Sequence, residues 1–181
     1  MKFETTTLEG VLLITPTLFG DERGFFMETW NERVFREAGL DVAFVQDNHS
    51  KSARGTLRGL HYQTEHPQGK LVRVLSGSVF DVAVDLRSSS PTFGQWFGIE
   101  LSARNKQMLW IPPGLAHGFY VTSEEAEFFY KCTEFYHPQS EVSLKWDDTD
   151  LSIRWPLRSG ESPLLSAKDQ TALRFSEAPR F

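Results

Sequence analysis

Residues 57–70 read LRGLHYQTEHPQGK and bring Arg58, His61, His66 and Lys70 into one short, strand-like stretch. A histidine with an ordinary pKa of about 6.5 keeps a useful neutral fraction near neutrality, so His61 is a candidate general base. Its cationic company fits a particular reaction. Removing a proton beside a carbonyl creates an enolate, and an ammonium group such as Lys70 would stabilise that charge. Returning a proton to the other face of the carbon needs a separate acid. The run EFFYKCT offers Tyr130, which strand alternation places with Phe128 and Cys132, opposite Phe129 and Lys131. The plain alternatives are a packed histidine and a core tyrosine with its hydroxyl satisfied.

The same histidines raise the question of a metal. Gly55 leads by a five-residue interval to His61, and IPPGLAHGF supplies Pro112, Gly114 and His117. This half resembles the metal-binding cupins, jelly-roll proteins with G-x5-H-x-H-x(3,4)-E followed by P-x-G-x2-H. The second histidine position, however, holds Gln63. Glu65 comes too early for the glutamate ligand, and the next eligible positions hold Pro67 and Gln68. Alternation sends His66 to the face opposite His61. Two imidazoles remain where divalent metals usually take at least three protein ligands, so the expectation is no metal.

The elements that must position these residues are mostly strands. Short apolar or alternating runs punctuated by Gly, Pro, Ser and Asn predict an all-β sandwich or barrel, with candidates at 11–14, 24–30, 96–101, 107–111, 118–122, 127–133 and 141–146. LVRVLSGSVFDVAVDLR is expected to form a hairpin, with a turn at Gly77 joining 71–75 to 79–86. Phe80, Val82, Val84 and Leu86 then share one face; Asp81 and Asp85 face either solvent or a polar cavity. Two short helices are expected. One follows Asn31 as N-cap and stops at Gly39; the other starts at Ser166, with Asp169 as a capping residue three positions on.

At 181 residues the chain suits one domain, 1–181, with 40% apolar and 13% aromatic residues to fill a core and line a pocket. A net charge of −5 argues against a nucleic-acid partner. The lone Cys132 cannot form an internal disulfide and reads as a buried strand residue in a reducing compartment. No stretch has signal-peptide or membrane-span character, so the expected location is cytoplasmic and no membrane is expected as a partner.

FGDERGFFMETW, FVQDNHSKSARGTLRGLHYQ, QGKLVRVLSGSVFDVAVDLR, SPTFGQW, WIPPGLAHGFYV, AEFFYKCTEFY and PLLSAKD together resemble the dTDP-4-dehydrorhamnose 3,5-epimerases, from about residue 3 to residue 170. The resemblance implies a cupin-like jelly-roll β-barrel with a few short peripheral helices, working as a homodimer without metal or redox cofactor. It implies inversion of C3 and C5 of dTDP-4-dehydro-6-deoxy-D-glucose, giving dTDP-4-dehydro-L-rhamnose in dTDP-L-rhamnose biosynthesis. Both carbons flank the C4 ketone, so one enolate-stabilising device serves both steps.

Carried over by position, His61 is similar to the family's proton acceptor, Tyr130 to its donor, Asp169 to the histidine's carboxylate partner and Lys70 to the lysine near the C4 oxygen. Arg23, Phe26, Glu28, Gln46, Asp47, Asn48, Arg58, His117, Glu141 and Lys168 match substrate-contacting positions, with Arg23 and Arg58 suited to diphosphate oxygens. Phe25 or Phe26 would stack near the thymine, although a core role suits either. Asp47 is in conflict with alternation, since a Gln-x-Asn strand turns both amides one way and the acid the other. Asp81 and Tyr136 are secondary candidates, and His66 has no role. The alternatives are a single-carbon epimerase or ketoisomerase on a related dTDP-sugar, a metal-dependent cupin enzyme, and a non-catalytic sugar-binding module.

Overall fold

Thirteen strands form among the described residues, and every pairing between them is antiparallel. The computed structural model describes residues 1–158 and 160–181. In chain order the strands are β1 (Lys2–Thr5), β2 (Leu12–Thr15), β3 (Leu18–Asp21), β4 (Gly24–Met27), β5 (Gln46–Ala53), β6 (Leu57–Gln63) and β7 (Lys70–Ser76). They continue as β8 (Ser78–Asp85), β9 (Trp96–Ser102), β10 (Met108–Ile111), β11 (Leu115–Val121), β12 (Glu125–Cys132) and β13 (Glu141–Ser143). A six-stranded sheet ordered β1-β2-β10-β7-β12-β5 faces a five-stranded sheet ordered β13-β6-β11-β8-β9, while β3 and β4 make a separate ribbon. This is the cupin-like jelly roll expected.

Inward residues of both sheets, among them Val72, Val74, Val79, Ala83, Leu109, Phe119 and Phe128, form the central core. A second cluster, including Val82, Val84 and Leu86, packs the outer face of the five-stranded sheet against Leu151 and Ala178. The outer face of the six-stranded sheet is covered by α1 (Glu32–Glu37), whose Phe35 is fully buried against Trp30 and Phe3. Six residues are too few for an independent helix. Packing therefore holds α1, helped by the Asn31 side chain, which accepts hydrogen bonds from the amides of Arg33 and Val34. The second helix, α2 (Ala167–Gln170), starts after Ser166 as expected but is only one turn long. No helix is long and apolar enough to cross a membrane among the described residues.

The expected hairpin at Gly77 is corrected. Strand β7 pairs with β10 and β12, whereas β8 pairs with β11 and β9, so the turn carries the chain from one sheet to the other. Gly77 has φ +74°, and a Cβ there would collide with the carbonyl oxygen of Glu125, so the corner needs glycine. The face assignment along β8 survives, but solvent is not where its acids go. Asp81 and Asp85 are both fully buried.

A close approach of β6 and β11 sets the site. A Cβ on Gly59 would lie 2.6 Å from Gly118 Cα and 2.7 Å from the carbonyl oxygen of His117. The two backbones therefore come closer than side chains allow, and His61 stands directly opposite His117 in the register.

Asp85 anchors the end of β8. It accepts hydrogen bonds from Arg87 Nε at 2.9 Å and Nη2 at 2.7 Å, from Ser90 Oγ at 2.6 Å and from Thr92 Oγ1 at 2.7 Å. Burial pushes its carboxyl up from the ordinary 3.8, but these donors outweigh burial and hold it at about 2. A depressed value contributes stability that is complete above the ordinary pKa and lost as pH falls through the folded one. Asp85→Asn is expected to lose about 2 kcal/mol at about pH 6 and much less at about pH 2, read from urea midpoints; equal losses would contradict the assignment.

Candidate active site

Between the two sheets lies a cavity of about 310 Å³, bounded by β5, β7 and β12 on one side and β6 and β11 on the other. Alternation decides which residues enter it. Gln46 and Asn48 of β5 line the cavity, and Asp47 between them turns outward, where its carboxylate meets Lys131 Nζ at 2.7 Å. Asp47 therefore does not line the cavity of this chain, for the geometric reason the alternation supplied. Tyr130 enters from β12, with Phe128 beside it, while Cys132 is fully buried on the same strand. Lys70, Arg58, His61 and His117 complete the walls, and Tyr136, Glu141 and Lys168 stand at the rim.

His61 is held by a residue over a hundred positions away. Its Nε2 lies 2.5 Å from Asp169 Oδ1, and Ser166 Oγ donates to Asp169 Oδ2 at 2.7 Å while accepting from the Asp169 amide at 3.2 Å. Asp169 is thus both a helix-capping residue and the histidine's partner. Main-chain bonds at both ends deliver α2 to this place: Leu164 bridges to the start of β6, and Leu173 bridges to Leu144 just past β13. Burial pushes the Asp169 carboxyl up, but the hydrogen bond and charge of His61, the Ser166 hydroxyl and the Lys168 charge outweigh it and leave it below its usual range. An ionised Asp169 can only accept, so His61 Nε2 must carry a proton. The lone pair left to take another is on Nδ1.

Across the cavity, burial is the main cause pushing the Tyr130 phenol up to about 12, so it keeps its proton at neutral pH. Burial also pushes Lys70 below the usual lysine range, although Cys132, Glu141 and Asp81 act in the other direction. Its Nζ donates to the His61 carbonyl oxygen at 3.5 Å, a long bond that leaves most of its donor capacity for a ligand. His117 Nε2 sits 2.9 and 3.1 Å from the two oxygens of the buried Asp81, and its ring stacks on Phe128. Burial works against the Glu141 charge, but Lys168 Nζ at 2.8 Å and the Tyr136 hydroxyl at 2.9 Å keep its carboxyl below the usual range. Arg58, fixed through Nε to Ser52 Oγ at 2.9 Å, adds a third cation beside Lys70 and Lys168. A chain of net charge −5 therefore keeps a cluster of cations for an anionic ligand.

Other expected residues lie elsewhere. Arg23 pairs with Asp21 at 2.5 Å on the β3–β4 ribbon, where Phe26 is 69% exposed and Phe25 sits under the Lys106 ammonium. Glu28 accepts from the Asn31 side chain at 3.0 Å. None of these lines the cavity of its own chain. His66 lies beyond β6 at φ +52°, paired with Glu134 on the surface. Sequence reasoning left Asp81 and Tyr136 open and missed the purpose of Gln63. No spacing signal identified Ser166 as a hydroxyl donor to Asp169 beyond its capping position.

The residues do not fit a metal site. His61 and His117 offer two imidazoles, and Gln63, at the place of a third ligand, has its amide engaged with backbone groups, so a third protein ligand is lacking. Among the described residues no three His, Cys, Asp or Glu side chains gather as ligands.

A histidine and a tyrosine thus stand on facing sheets of one cationic cavity in this jelly roll. Comparison with known proteins gives the family. The model described as dTDP-4-dehydrorhamnose 3,5-epimerase matches residues 5–177. The chain is 57% identical to the dTDP-4-dehydrorhamnose 3,5-epimerase of Pseudomonas aeruginosa, over 100% of this chain and 99% of that one. The Legionella pneumophila 3,5-epimerase, solved with dTDP-4-keto-L-rhamnose, superposes with a TM-score of 0.94 at 50% identity, covering 99% of this chain and 98% of that one. A 3'-monoepimerase from Streptomyces bikiniensis, solved with dTDP-quinovose, gives 0.88 at 34% identity, covering 94% and 86%. The chain belongs to the dTDP-4-dehydrorhamnose 3,5-epimerase family and is an isomerase.

Asp169→Asn keeps the shape of the contact but removes the charge facing the His61 ring. Epimerase turnover should fall by about 10²–10⁴-fold in steady-state assays, with an unchanged circular dichroism spectrum. A loss below about threefold would show that His61 does not depend on this carboxylate.

Proposed function

We propose that His61, Lys70, Tyr130 and Asp169 carry the inversion of C3 and C5 of dTDP-4-dehydro-6-deoxy-D-glucose to dTDP-4-dehydro-L-rhamnose. The observation that carries this reading is the His61–Asp169 hydrogen bond of 2.5 Å on one wall, with Tyr130 on the sheet facing it. His61 Nδ1 takes the proton from a carbon next to the C4 ketone. The C–H electron pair forms a double bond to C4 and the carbonyl π pair moves to the C4 oxygen, where the Lys70 ammonium meets the developing charge. Tyr130 then gives a proton to the opposite face of the carbon, collapsing the enolate and inverting the centre. Solvent takes the proton from His61 and returns one to Tyr130, and the neighbouring carbon then follows by the same route through the same ketone. Neither step in this reading uses a metal or redox cofactor.

Arg58 and Lys168 suit the diphosphate oxygens, and Gln46, Asn48, His117 and Glu141 suit the polar groups of the nucleotide sugar. Arg23, Phe26 and Glu28 fit this reading if the chain works as a homodimer in which the β3–β4 ribbon of a second copy reaches the cavity. Their exposure in a single chain supports that arrangement. A monomer with full activity would contradict it. The cytoplasm, a reducing compartment, suits a chain whose lone Cys132 is a free thiol.

The likeness to a 3'-monoepimerase keeps one second reading in view, inversion of a single carbon. Turnover in heavy water separates the two. Deuterium at both C3 and C5 of the product, undiminished by a chelator, is the expected result; label at one carbon selects the second reading, and label at neither refutes both. His61→Ala should abolish exchange at both carbons, while Tyr130→Phe should impair C5 inversion more than initial proton loss. Equal and slight effects would mean that the chemistry belongs to other residues.

A further inference from the structure

Residues 133–137, between β12 and the short 3₁₀ turn at Pro138–Ser140, have no strand or helix of their own. Burial does not hold them, since Phe135 is 63% and Tyr136 51% exposed. Three glutamine side chains hold their backbone instead. Gln68 Nε2 donates to the Glu134 carbonyl at 2.9 Å, and Gln63 Nε2 donates to the Phe135 carbonyl at 3.3 Å. The Tyr136 amide donates to Gln46 Oε1 at 2.9 Å, and the His137 amide donates to Gln63 Oε1 at 3.0 Å. Four consecutive residues are each tied by a side-chain amide, and Gln63 grips both sides of Tyr136.

Gln63 is only 4% exposed, and its second N–H goes to the His66 carbonyl at 2.8 Å. Two carbonyls and one amide N–H set the orientation of its carboxamide without ambiguity. The bracketed residue, Tyr136, lines the cavity and donates through its hydroxyl to Glu141 at 2.9 Å. Nothing else on the segment touches the cavity, although Gln46 and Gln68 line it in their own right.

We propose that Gln63, supported by Gln46 and Gln68, is a positioning residue that fixes Tyr136 as a wall of the substrate cavity and thereby determines affinity for the sugar nucleotide. Gln63 stands where the second histidine of a metal-binding cupin would be, and its amide converts that position from metal binding to loop anchoring. The inference rests on the reading that this cavity takes the dTDP-sugar; the clamp itself can be tested without substrate. Only a carboxamide supplies two donors and an acceptor here. Gln63→Glu keeps the acceptor and sets a carboxylate against two carbonyl oxygens, whereas Gln63→Met keeps the length and loses all three bonds.

Amide hydrogen exchange on the full chain should show His137 losing at least about tenfold protection in Gln63→Met, which probes the clamp alone. In steady-state assays with dTDP-4-dehydro-6-deoxy-D-glucose, Gln63→Glu should raise KM about tenfold or more with kcat changed by less than about threefold. In a Tyr136→Ala background the same change should add less than about twofold to KM, because its route to the substrate is gone. Fully additive effects, an unchanged KM, or a fall in kcat at constant KM would overturn the inference. If neither Gln63 variant folds, Gln63→Asn, too short to grip both sides of Tyr136, is judged by the same cycle, with the same outcomes for or against. A wild-type chain without turnover would fail the functional reading, whereas wild-type turnover with additive variants would fail only the clamp.

Discussion

Burying a carboxylate is costly unless its oxygens are hydrogen-bonded, and Asp169, only 3% exposed, has a partner on each: His61 on one oxygen and Ser166 on the other. Much of the site follows from that arrangement. The depressed Asp169 carboxyl stays ionised, which commits His61 Nε2 to the proton and leaves the lone pair on Nδ1. The one-turn helix carrying Asp169 cannot persist alone, so its flanks are bridged to the sheet at Leu164 and Leu173. The same device recurs in His117 and Asp81, across the register from His61.

The jelly roll contributes by facing two sheets with different chemical loads. The five-stranded sheet brings His61, Arg58 and His117, while the six-stranded sheet brings Lys70, Tyr130, Gln46 and Asn48. An acid and a base must approach a carbon from different sides to invert it, and two facing sheets offer that separation without a mobile lid. Burial then acts in useful directions, keeping the Tyr130 phenol protonated and making the Lys70 ammonium more acidic, closer in proton affinity to an enolate oxygen.

Much of this was legible in the sequence because strand alternation is a local rule. It placed Tyr130 and Cys132 on one face, separated Asp47 from Gln46 and Asn48, and turned His66 away from His61. Capping chemistry likewise located Asn31, Ser166 and Asp169. Pairing is not local, and there the reading failed: the turn at Gly77 looked like a hairpin, but the bulk of β12 packed against Gly77 makes it a corner between sheets. Asp81 and Asp85 could not be assigned to the interior until His117 and Arg87 were seen beside them. Gln63 looked like a vacancy in a ligand pattern, because the backbone groups it serves lie about seventy residues further on. Arg23, Phe26 and Glu28 came from family resemblance alone, and the single chain leaves them away from the cavity.

In the proposed mechanism Asp169 fixes the His61 tautomer so that Nδ1 is the base. Nitrogen-15 NMR of histidine-labelled protein tests it directly, with His61 assigned by its loss in a His61→Ala variant. The expected spectrum has a protonated Nε2 with a low-field proton resonance and an unprotonated Nδ1 in the neutral ring. A neutral His61 protonated at Nδ1, with Nε2 bare, would contradict it.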